Sequence, residues 1–217
     1  MKPRPARVLI VDDHPLMRHA LRQIIKGDPG LRICGEADSA AEALSMAARF
    51  TPSLAIVDIS LGTDSGLELI RRFQAEFPKM RVLIISMHDE SLYIERAVRG
   101  GAHGFVSKDS SAATVDEAIH QVLDGRGYWN QDLLASLVTR AGRERRPDTS
   151  PVSALSDREF LVFQHLGHGL STRQIAHAMS VTPKTVESYR HRMKSKLGLK
   201  HTYELLHFAT EWSLHPK

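Results

Sequence analysis

The 217-residue sequence has a single cysteine, no long apolar run and no internal repeat. One cysteine, Cys34, cannot form a disulfide within the chain, which favours a buried thiol in a reducing compartment. No apolar stretch approaches the ~18 residues of a membrane-spanning helix. The basic N-terminal residues are not followed by the apolar segment of a signal peptide. We therefore expect a cytoplasmic protein with no membrane partner.

The net charge of +4 is unevenly distributed along the chain. Residues 1–126 carry 16 Lys and Arg against 17 Asp and Glu, whereas residues 127–217 carry 13 against 8. Residues 183–200 alone contribute six cations and one Glu. A basic C-terminal third after a nearly neutral first part predicts a nucleic-acid-binding module attached to a domain of another kind.

The first part alternates short apolar runs with helical stretches, a pattern typical of an α/β doubly wound parallel sheet. Five strands are predicted, at Arg7–Val11, Leu31–Glu36, Leu54–Val57, Val82–Ile85 and Gly104–Val106. The helical stretches between and after them run from Leu16 to Ile25, Ala41 to Phe50, Leu67 to Phe77, Ser91 to Arg99 and Ala112 to Leu123.

The last part has helical periodicity throughout, with a start signal for each helix. Ser156 to Glu159 and Ser171 to Gln174 have the form of capping boxes. Thr182 and Pro183 begin a longer basic helix that Gly198 ends, and Thr202 to Trp212 forms a fourth helix. Two helices joined by a short turn, the second of them basic, predict a helix-turn-helix within an all-α four-helix domain.

The segment between these parts has a different composition. Residues 131–140 have the pattern of one short amphipathic helix, and residues 141–151 are charged and rich in Gly and Pro, as in a flexible linker. We therefore divide the chain into a first domain at 1–127, a linker with a short helix at 128–151, and a second domain at 152–217.

Charged and hydroxyl side chains stand at the ends of four predicted strands: Asp12 and Asp13, Asp58, Ser86, and Lys108. Because parallel strands share one carboxyl edge, these side chains should converge there. Hard carboxylate oxygens suit Mg²⁺, and an aspartate beside Mg²⁺ and a lysine can attack phosphorus to form an aspartyl-phosphate. Each aspartate alone is more simply a helix cap or turn residue. Their joint placement favours the phosphoryl site.

Several motifs resemble those of a known family. V-D-D-H-P, A-I-V-D-I-S-L with S-G-L-E, L-I-I-S and G-A-H-G-F-V-S-K-D resemble the receiver domain of two-component response regulators. L-S-D-R-E, S-T-R-Q-I-A and V-T-P-K-T-V-E-S-Y-R resemble the LuxR-type helix-turn-helix. In this order they resemble the NarL/FixJ family. The resemblance implies a flavodoxin-like receiver followed by a DNA-binding domain, and a transcriptional regulator rather than an enzyme.

The resemblance also implies roles for the acidic residues. Asp58 would accept a phosphoryl group from a sensor histidine kinase. The side chains of Asp13 and Asp58 and the backbone carbonyl of Ser60 would hold Mg²⁺, with Asp12 acting through water.

Three further positions carry roles implied by the resemblance. Lys108 would pair with the phosphoryl oxygens, and Ser86 would donate a hydrogen bond to one of them. Phe105 occupies the aromatic switch position and would turn inward as Ser86 moves to the phosphoryl group, although core packing explains this ring equally well. Gly62 stands where the family usually has proline, which predicts a looser loop and altered phosphorylation kinetics.

The basic helix, Lys184 to Leu197, has one face suited to a DNA groove. Lys184, Glu187, Ser188 and His191 share this face, although a solvated charged surface is the simpler interpretation of these residues alone. By resemblance, Glu187, Ser188 and His191 read bases. Five side chains would lie nearer the DNA backbone: Lys184, Thr185, Tyr189, Arg192 and Lys196.

The predicted partners are a sensor histidine kinase, a double-stranded DNA operator, a second copy of the phosphorylated chain and, as a candidate, RNA polymerase. Two alternatives compete with this function. An aspartyl-phosphate phosphatase would need an acid two residues after its nucleophile, where this chain has Ser60. A phosphorylation-independent regulator would use the receiver only as a dimerisation platform, and the sequence leaves that open.

Overall fold

The computed structural model describes residues 4–61, 64–86, 96–129, 151–179 and 181–214. It divides the chain into two compact units, residues 1–141 and 142–217. The division falls inside the predicted linker, most of which, including the predicted helix at 131–140, lies outside the described residues. Tyr128, assigned to the linker, instead pairs with Gly104 of the first unit. The domain boundaries at 127 and 152 stay a prediction.

Strands and helices alternate along the first unit. In chain order they are β1 (Ala6–Val11), α1 (Pro15–Gly27), β2 (Leu31–Ala37), α2 (Ala40–Phe50), β3 (Leu54–Val57), β4 (Ser60–Leu61), β5 (Asp64–Ser65), α3 (Gly66–Glu76), β6 (Arg81–Ser86), β7 (Gly104–Ser107) and α4 (Ala112–Leu123). Residues 96–99, the described part of the predicted helix at 91–99, are helical.

The main sheet has five strands in the order β2-β1-β3-β6-β7, and all of its neighbours are parallel. The predicted five-stranded doubly wound sheet is therefore confirmed. Residues 8–11 and 54–57 are at most 1% exposed, because helices cover both faces of a parallel sheet. The chain places β2 on one side of β1 and β3 on the other. This reversal of strand order creates a crevice at the carboxyl ends of β1 and β3.

One face of the sheet packs against α1 and α4. Leu21 and Ile25 of α1 and Ile119 of α4 meet Ile10 and Ile56 of the central strands in one apolar core. Outside this core, Cys34 is half-buried rather than buried, and its Sγ donates to the carbonyl of Val8 at 3.4 Å.

The second unit is helical. Its elements are a 3₁₀ turn (Pro151–Ala154), α5 (Asp157–Gly167), α6 (Thr172–Ala178), α7 (Pro183–Leu197) and α8 (Thr202–Leu214). Both predicted capping boxes are formed, at the starts of α5 and α6. The predicted four-helix organisation is thus confirmed within residues 151–179 and 181–214.

Aromatic rings and the apolar face of α7 form the core of the second unit. The ring of Phe163 lies 5.5 Å from that of Phe208 and 6.4 Å from that of Trp212. Val186 and Met193 of α7 are fully buried. Among the helices of the described residues, none combines the length and apolar character needed to span a bilayer.

Candidate functional site

Two buried carboxylates stand at the point where the strand order reverses. Asp12 directly follows β1 and is 1% exposed, and Asp58 directly follows β3 and is 3% exposed. The backbone N–H of Asp58 donates to the carbonyl of Val11 at 2.8 Å, so the strand pairing continues to the two carboxylates. The sheet therefore brings together side chains that lie far apart in the sequence.

Lys108 supplies the positive charge of this pocket from the end of β7. Its Nζ lies 2.8 Å from Oδ2 of Asp58 and 2.8 Å from Oδ2 of Asp12, and its side chain is 7% exposed. Burial alone would lower the pKa of Lys108, but the charges of Asp58 and Asp12 outweigh it and raise that pKa above its usual value. The side chain is thus held as an ammonium ion between two carboxylates.

Asp13 completes the acidic group together with a histidine to which the sequence analysis gave no role. Nδ1 of His14 lies 2.8 Å from Oδ1 of Asp13 and 3.2 Å from Oδ1 of Asp12. The backbone N–H of His14 also donates to Oδ1 of Asp12 at 2.8 Å. The signal for His14 was its position directly after the acidic pair in the V-D-D-H-P motif.

The donor atoms of this pocket are close enough for one metal ion. Ligand atoms of Asp12, Asp13, His14 and Asp58 all lie within 4.8 Å of one another. A compact set of carboxylate oxygens fits Mg²⁺, which prefers hard oxygen ligands. Asp12 accepts from Lys108 with one oxygen and from the His14 amide with the other. Whether Asp12 would act through water, as expected, or coordinate directly stays a prediction.

The remaining predicted residues of the pocket lie on neighbouring strands. Ser60 begins β4, two residues after Asp58, and Ser86 ends β6 with no exposed surface. The carbonyl of Ser86 accepts from the backbone N–H of Lys108 at 2.9 Å. Phe105 in β7 is 4% exposed, so its ring lies inside in this structure. Gly62, at which a looser loop was expected, lies outside the described residues.

Gly66 is a second residue whose importance the sequence analysis missed. A Cβ atom at this position would lie 2.2 Å from the carbonyl oxygen of Asp58 and 2.7 Å from Cα of Ile59. The N–H of Gly66 donates to the carbonyl of Ile59 at 2.9 Å. Only glycine therefore fits against the backbone that carries Asp58.

The residues predicted to contact DNA all lie on α7. Tyr189 and Thr185 are half-buried, and the guanidinium of Arg192 lies 5.6 Å from the centre of the Tyr189 ring. The other predicted contacts are exposed: Lys184, Glu187, Ser188, His191, Arg192 and Lys196.

Two charged side chains of α7 have partners on other helices of the unit. Oε1 of Glu187 accepts from Oγ1 of Thr172 and from Nη1 of Arg190, both at 2.9 Å. Nζ of Lys196 lies 2.6 Å from Oε2 of Glu159. Burial would raise the pKa of Glu159, but hydrogen bonds from Lys196 and the Ser156 amide lower it. The pairings of Glu187 with Thr172 and of Lys196 with Glu159 could not be predicted from local sequence, because these partners lie on other helices.

Comparison with known protein families covers both units. The family described as "Response regulator receiver domain" matches residues 8–120, and "Bacterial regulatory proteins, luxR family" matches residues 153–209. The fold and the two matches define the class as a receiver domain followed by a helix-turn-helix domain. The chain belongs to the NarL/FixJ family of two-component response regulators, which are transcription regulators and not enzymes.

Relatives match along almost the whole chain. "Transcriptional activator protein ExaE" of Pseudomonas putida is 38% identical over 208 residues, which cover 95% of this chain and 97% of that protein. "DNA-binding transcriptional activator DevR/DosR" of Mycobacterium tuberculosis is 33% identical over 206 residues, covering 94% of each chain. "Response regulator UvrY" of Escherichia coli is 30% identical over 207 residues, covering 95% of this chain and 94% of that protein.

Solved structures share the fold. A two-component response regulator of the LuxR family from Aurantimonas sp. SI85-9A1 aligns with a TM-score of 0.59 and 32% identity, over 64% of this chain and 99% of that chain. RcsB from Salmonella enterica serovar Typhimurium, bound to promoter P1flhDC, aligns with a TM-score of 0.59 over 95% of this chain and 98% of that chain. RcsB is only 19% identical, so this likeness concerns the fold alone.

Proposed function

We propose that this response regulator binds DNA in a phosphorylation-dependent manner and accepts a phosphoryl group on Asp58 from a sensor histidine kinase in the cytoplasm. The observation that carries the proposal is the position of Asp58. Its buried carboxylate lies at the reversal of strand order, 2.8 Å from the Lys108 ammonium and beside Asp12 and Asp13. This arrangement supports the proposal, because it would put a nucleophile beside a positive charge and a set of metal ligands.

The proposed transfer forms a bond between a carboxylate oxygen of Asp58 and phosphorus. The bond between phosphorus and the histidine nitrogen of the kinase breaks, and that nitrogen keeps the electron pair and is reprotonated. Asp13, Asp58 and the Ser60 carbonyl would hold Mg²⁺, which neutralises charge on the phosphoryl oxygens when bound. Lys108 contributes a positive charge from a buried position, where such interactions are strongest.

The proposed signal is a change of partners inside the receiver. Lys108 now pairs with Asp12 and Asp58, and a phosphoryl group on Asp58 would offer it new oxygen partners. Ser86 would donate to another of these oxygens. The inward turn expected of Phe105 would add little to this signal, because its residue is already only 4% exposed. A group that favours one of two receiver conformations shifts the population between them.

The proposed output is DNA binding by a homodimer. The exposed face of α7, with Glu187, Ser188 and His191, would enter the major groove, and its cations would contact phosphates. Dimerisation would place two such helices on paired half-sites. RcsB, which shares the fold, has been solved as two dimers bound to two parallel DNAs.

The proposed phosphorylation is tested with acetyl phosphate as a small phosphodonor. We expect the 217-residue protein to gain the mass of one phosphoryl group only when Mg²⁺ is present, and its dimer fraction to rise. Asp58→Asn should show neither change, because the amide is a poor nucleophile. Asp124→Asn, which alters an exposed aspartate paired with Arg126, should behave like the unmodified protein. Intact mass spectrometry and sedimentation measure both quantities.

Two results would contradict the proposal. Equal phosphoryl uptake by Asp58→Asn would show that another residue accepts the group. Full dimerisation and DNA binding by Asp58→Asn without any uptake would instead support a phosphorylation-independent regulator.

A further inference from the structure

The start of α2 is capped by a residue from outside the helix. Ser39 is the N-cap residue, but its side chain makes no capping hydrogen bond. The first N–H groups of a helix have no acceptors within the helix. Here Oδ2 of Asp64 accepts from the N–H of Ala40 at 2.8 Å, although 24 residues separate the two. A carboxylate at this end is favourable because it complements the helix dipole.

Asp64 belongs to the backbone segment that follows the phosphoacceptor. β4 and β5 pair antiparallel, with Ser60 opposite Ser65 and Leu61 opposite Asp64. The hydrogen bond from the Gly66 N–H to the Ile59 carbonyl fixes the base of this strand pair. The carbonyl of Ser60 therefore belongs to the β4–β5 strand pair. Asp64 of β5 joins this pair to α2 through its hydrogen bond with Ala40.

Helix α2, which carries the donor of this hydrogen bond, is packed against the sheet. Its residues Ala43 and Ala47 have no exposed surface, and the helix packs against β1 and β2. A hydrogen bond to its first residue thus fixes Asp64 relative to the sheet that carries Asp12 and Asp58.

We propose that Asp64 is a positioning residue for phosphorylation, because its hydrogen bond to Ala40 holds the β4–β5 pair and with it the Ser60 carbonyl next to Asp58. This inference rests on the proposed function of Asp58 and Ser60.

The chain offers a way to remove each partner of this hydrogen bond separately. Asp64→Ala removes the acceptor. Ala40→Pro removes the donor and should fit, because proline is favoured at the first position of a helix. Ser39, which would precede it, already has φ −143° and ψ 157°, in the extended region that a residue before proline requires. Asp64→Asn keeps an acceptor oxygen and is the matched control.

The experiment uses the 217-residue protein and three measurements. Calorimetric titration with MgCl₂ gives the affinity of the unphosphorylated protein, intact mass gives the rate of phosphoryl uptake from acetyl phosphate, and urea unfolding gives stability. We expect Asp64→Ala and Ala40→Pro each to weaken Mg²⁺ affinity about tenfold, as for the loss of a group that orients a metal ligand. Phosphoryl uptake at limiting Mg²⁺ should slow by a similar factor.

The double variant tests whether loss of this hydrogen bond causes the weaker Mg²⁺ affinity and the slower uptake. If the two residues act through one hydrogen bond, the variant that combines Asp64→Ala with Ala40→Pro should bind Mg²⁺ no more weakly than either single variant. Asp64→Asn should stay within about twofold of the unmodified protein, because its amide oxygen can still accept from Ala40.

The results separate failure of this inference from failure of the proposed function. If Asp64→Ala lowers stability but leaves Mg²⁺ affinity and uptake unchanged, Asp64 is only a helix cap and the inference is overturned. Additive losses in the double variant would also overturn it. If the unmodified protein takes up no phosphoryl group, the proposed role of Asp58 fails instead, and that result is visible before any variant of Asp64 is made.

Discussion

Lys108 shows how one side chain can satisfy two buried acids. Asp12 and Asp58 are at most 3% exposed, and carboxylates so close to each other repel in a medium of low dielectric constant. The Lys108 ammonium, 2.8 Å from an oxygen of each, compensates both charges. This positive charge helps to explain how the receiver can bury two carboxylates side by side.

Replacing Lys108 with methionine should destabilise the receiver. The variant keeps the length of the side chain but leaves two buried carboxylates without their cation, a change that typically costs about 3–5 kcal/mol. Mg²⁺ should restore part of this loss because it compensates the same charges. Urea unfolding in EDTA and in MgCl₂ measures both effects.

The matched control is Arg126→Met, which removes an exposed ion pair with Asp124. Its effect should be less than about 1 kcal/mol, because solvent screens exposed pairs. Equal stability of Lys108→Met and the unmodified protein in EDTA would contradict the assigned role of Lys108.

His103 should make stability depend on pH. The backbone N–H of Val82 donates to Nδ1 of His103 at 3.1 Å, which requires an unprotonated Nδ1. Burial and the nearby charge of Arg81 lower the pKa of His103 below its usual value. The unfolded chain therefore takes up a proton at a higher pH than the folded chain does. The stability due to His103 is complete above the unfolded pKa of about 6.5 and is lost as the pH falls from there towards the lower folded pKa.

The test compares unfolding of the unmodified protein and His103→Asn between pH 7.5 and pH 5. Asparagine can accept the same hydrogen bond but does not titrate, so its stability should fall less over this range. Parallel pH profiles for the two proteins would show that His103 does not cause the dependence.

At the scale of the elements, the connection from β3 to α3 depends on Gly66. A side chain there would overlap the Asp58 carbonyl, at 2.2 Å, so Gly66→Ala must displace the backbone that carries Asp58. We expect a loss of about 1–3 kcal/mol in stability, together with slower phosphoryl uptake. Gly27→Ala is the control, because a Cβ atom there would meet nothing within 4 Å. Urea unfolding and intact mass spectrometry measure the two effects. Unchanged uptake by Gly66→Ala would mean that the loop adjusts without moving Asp58.

The elements of this protein were largely predictable from the sequence. The buried strands have continuous apolar runs, and Ser156, Ser171 and Thr182 cap helices with local hydrogen bonds that leave clear sequence signals. β4 and β5 were not predicted, because strands of two residues show no periodicity.

The candidate site was predicted in part. There is a physical reason why some of its contacts could be predicted and others could not. The convergence of Asp12, Asp58 and Lys108 follows from the parallel sheet, since all three stand at strand ends. The contacts of Asp64 with Ala40 and of Lys196 with Glu159 depend on how separate elements pack. No local pattern carries that information, so these partners had to come from the structure.

At the scale of the whole molecule, the two parts of the chain differ in charge. The nearly neutral first part encloses an acidic pocket, whereas residues 183–200 carry six cations. Not all of these cations are equally available to DNA, because Lys196 pairs with the buried Glu159 and Arg190 is held by Glu187 and Thr172. The number of phosphates neutralised should therefore be smaller than the number of basic residues.

DNA binding should weaken with salt in proportion to the phosphates neutralised. A plot of log affinity against log salt concentration for duplex DNA should have a negative slope, and Arg192→Ala should reduce its magnitude by about 0.9. Arg49→Ala, in the first unit, should leave the slope unchanged. Fluorescence anisotropy between 50 and 300 mM salt measures it. A slope near zero for the unmodified protein would contradict DNA binding through α7.

The strand order also affects how fast the two units fold. Asp58 and Lys108 are 50 residues apart, and each parallel neighbour is joined only by closing a long loop, which slows folding. The helical unit forms its turns and caps from residues close in sequence. When the denatured chain refolds, the helical unit should therefore fold first, and the pocket around Asp58 should form only when the last strand of the sheet has paired.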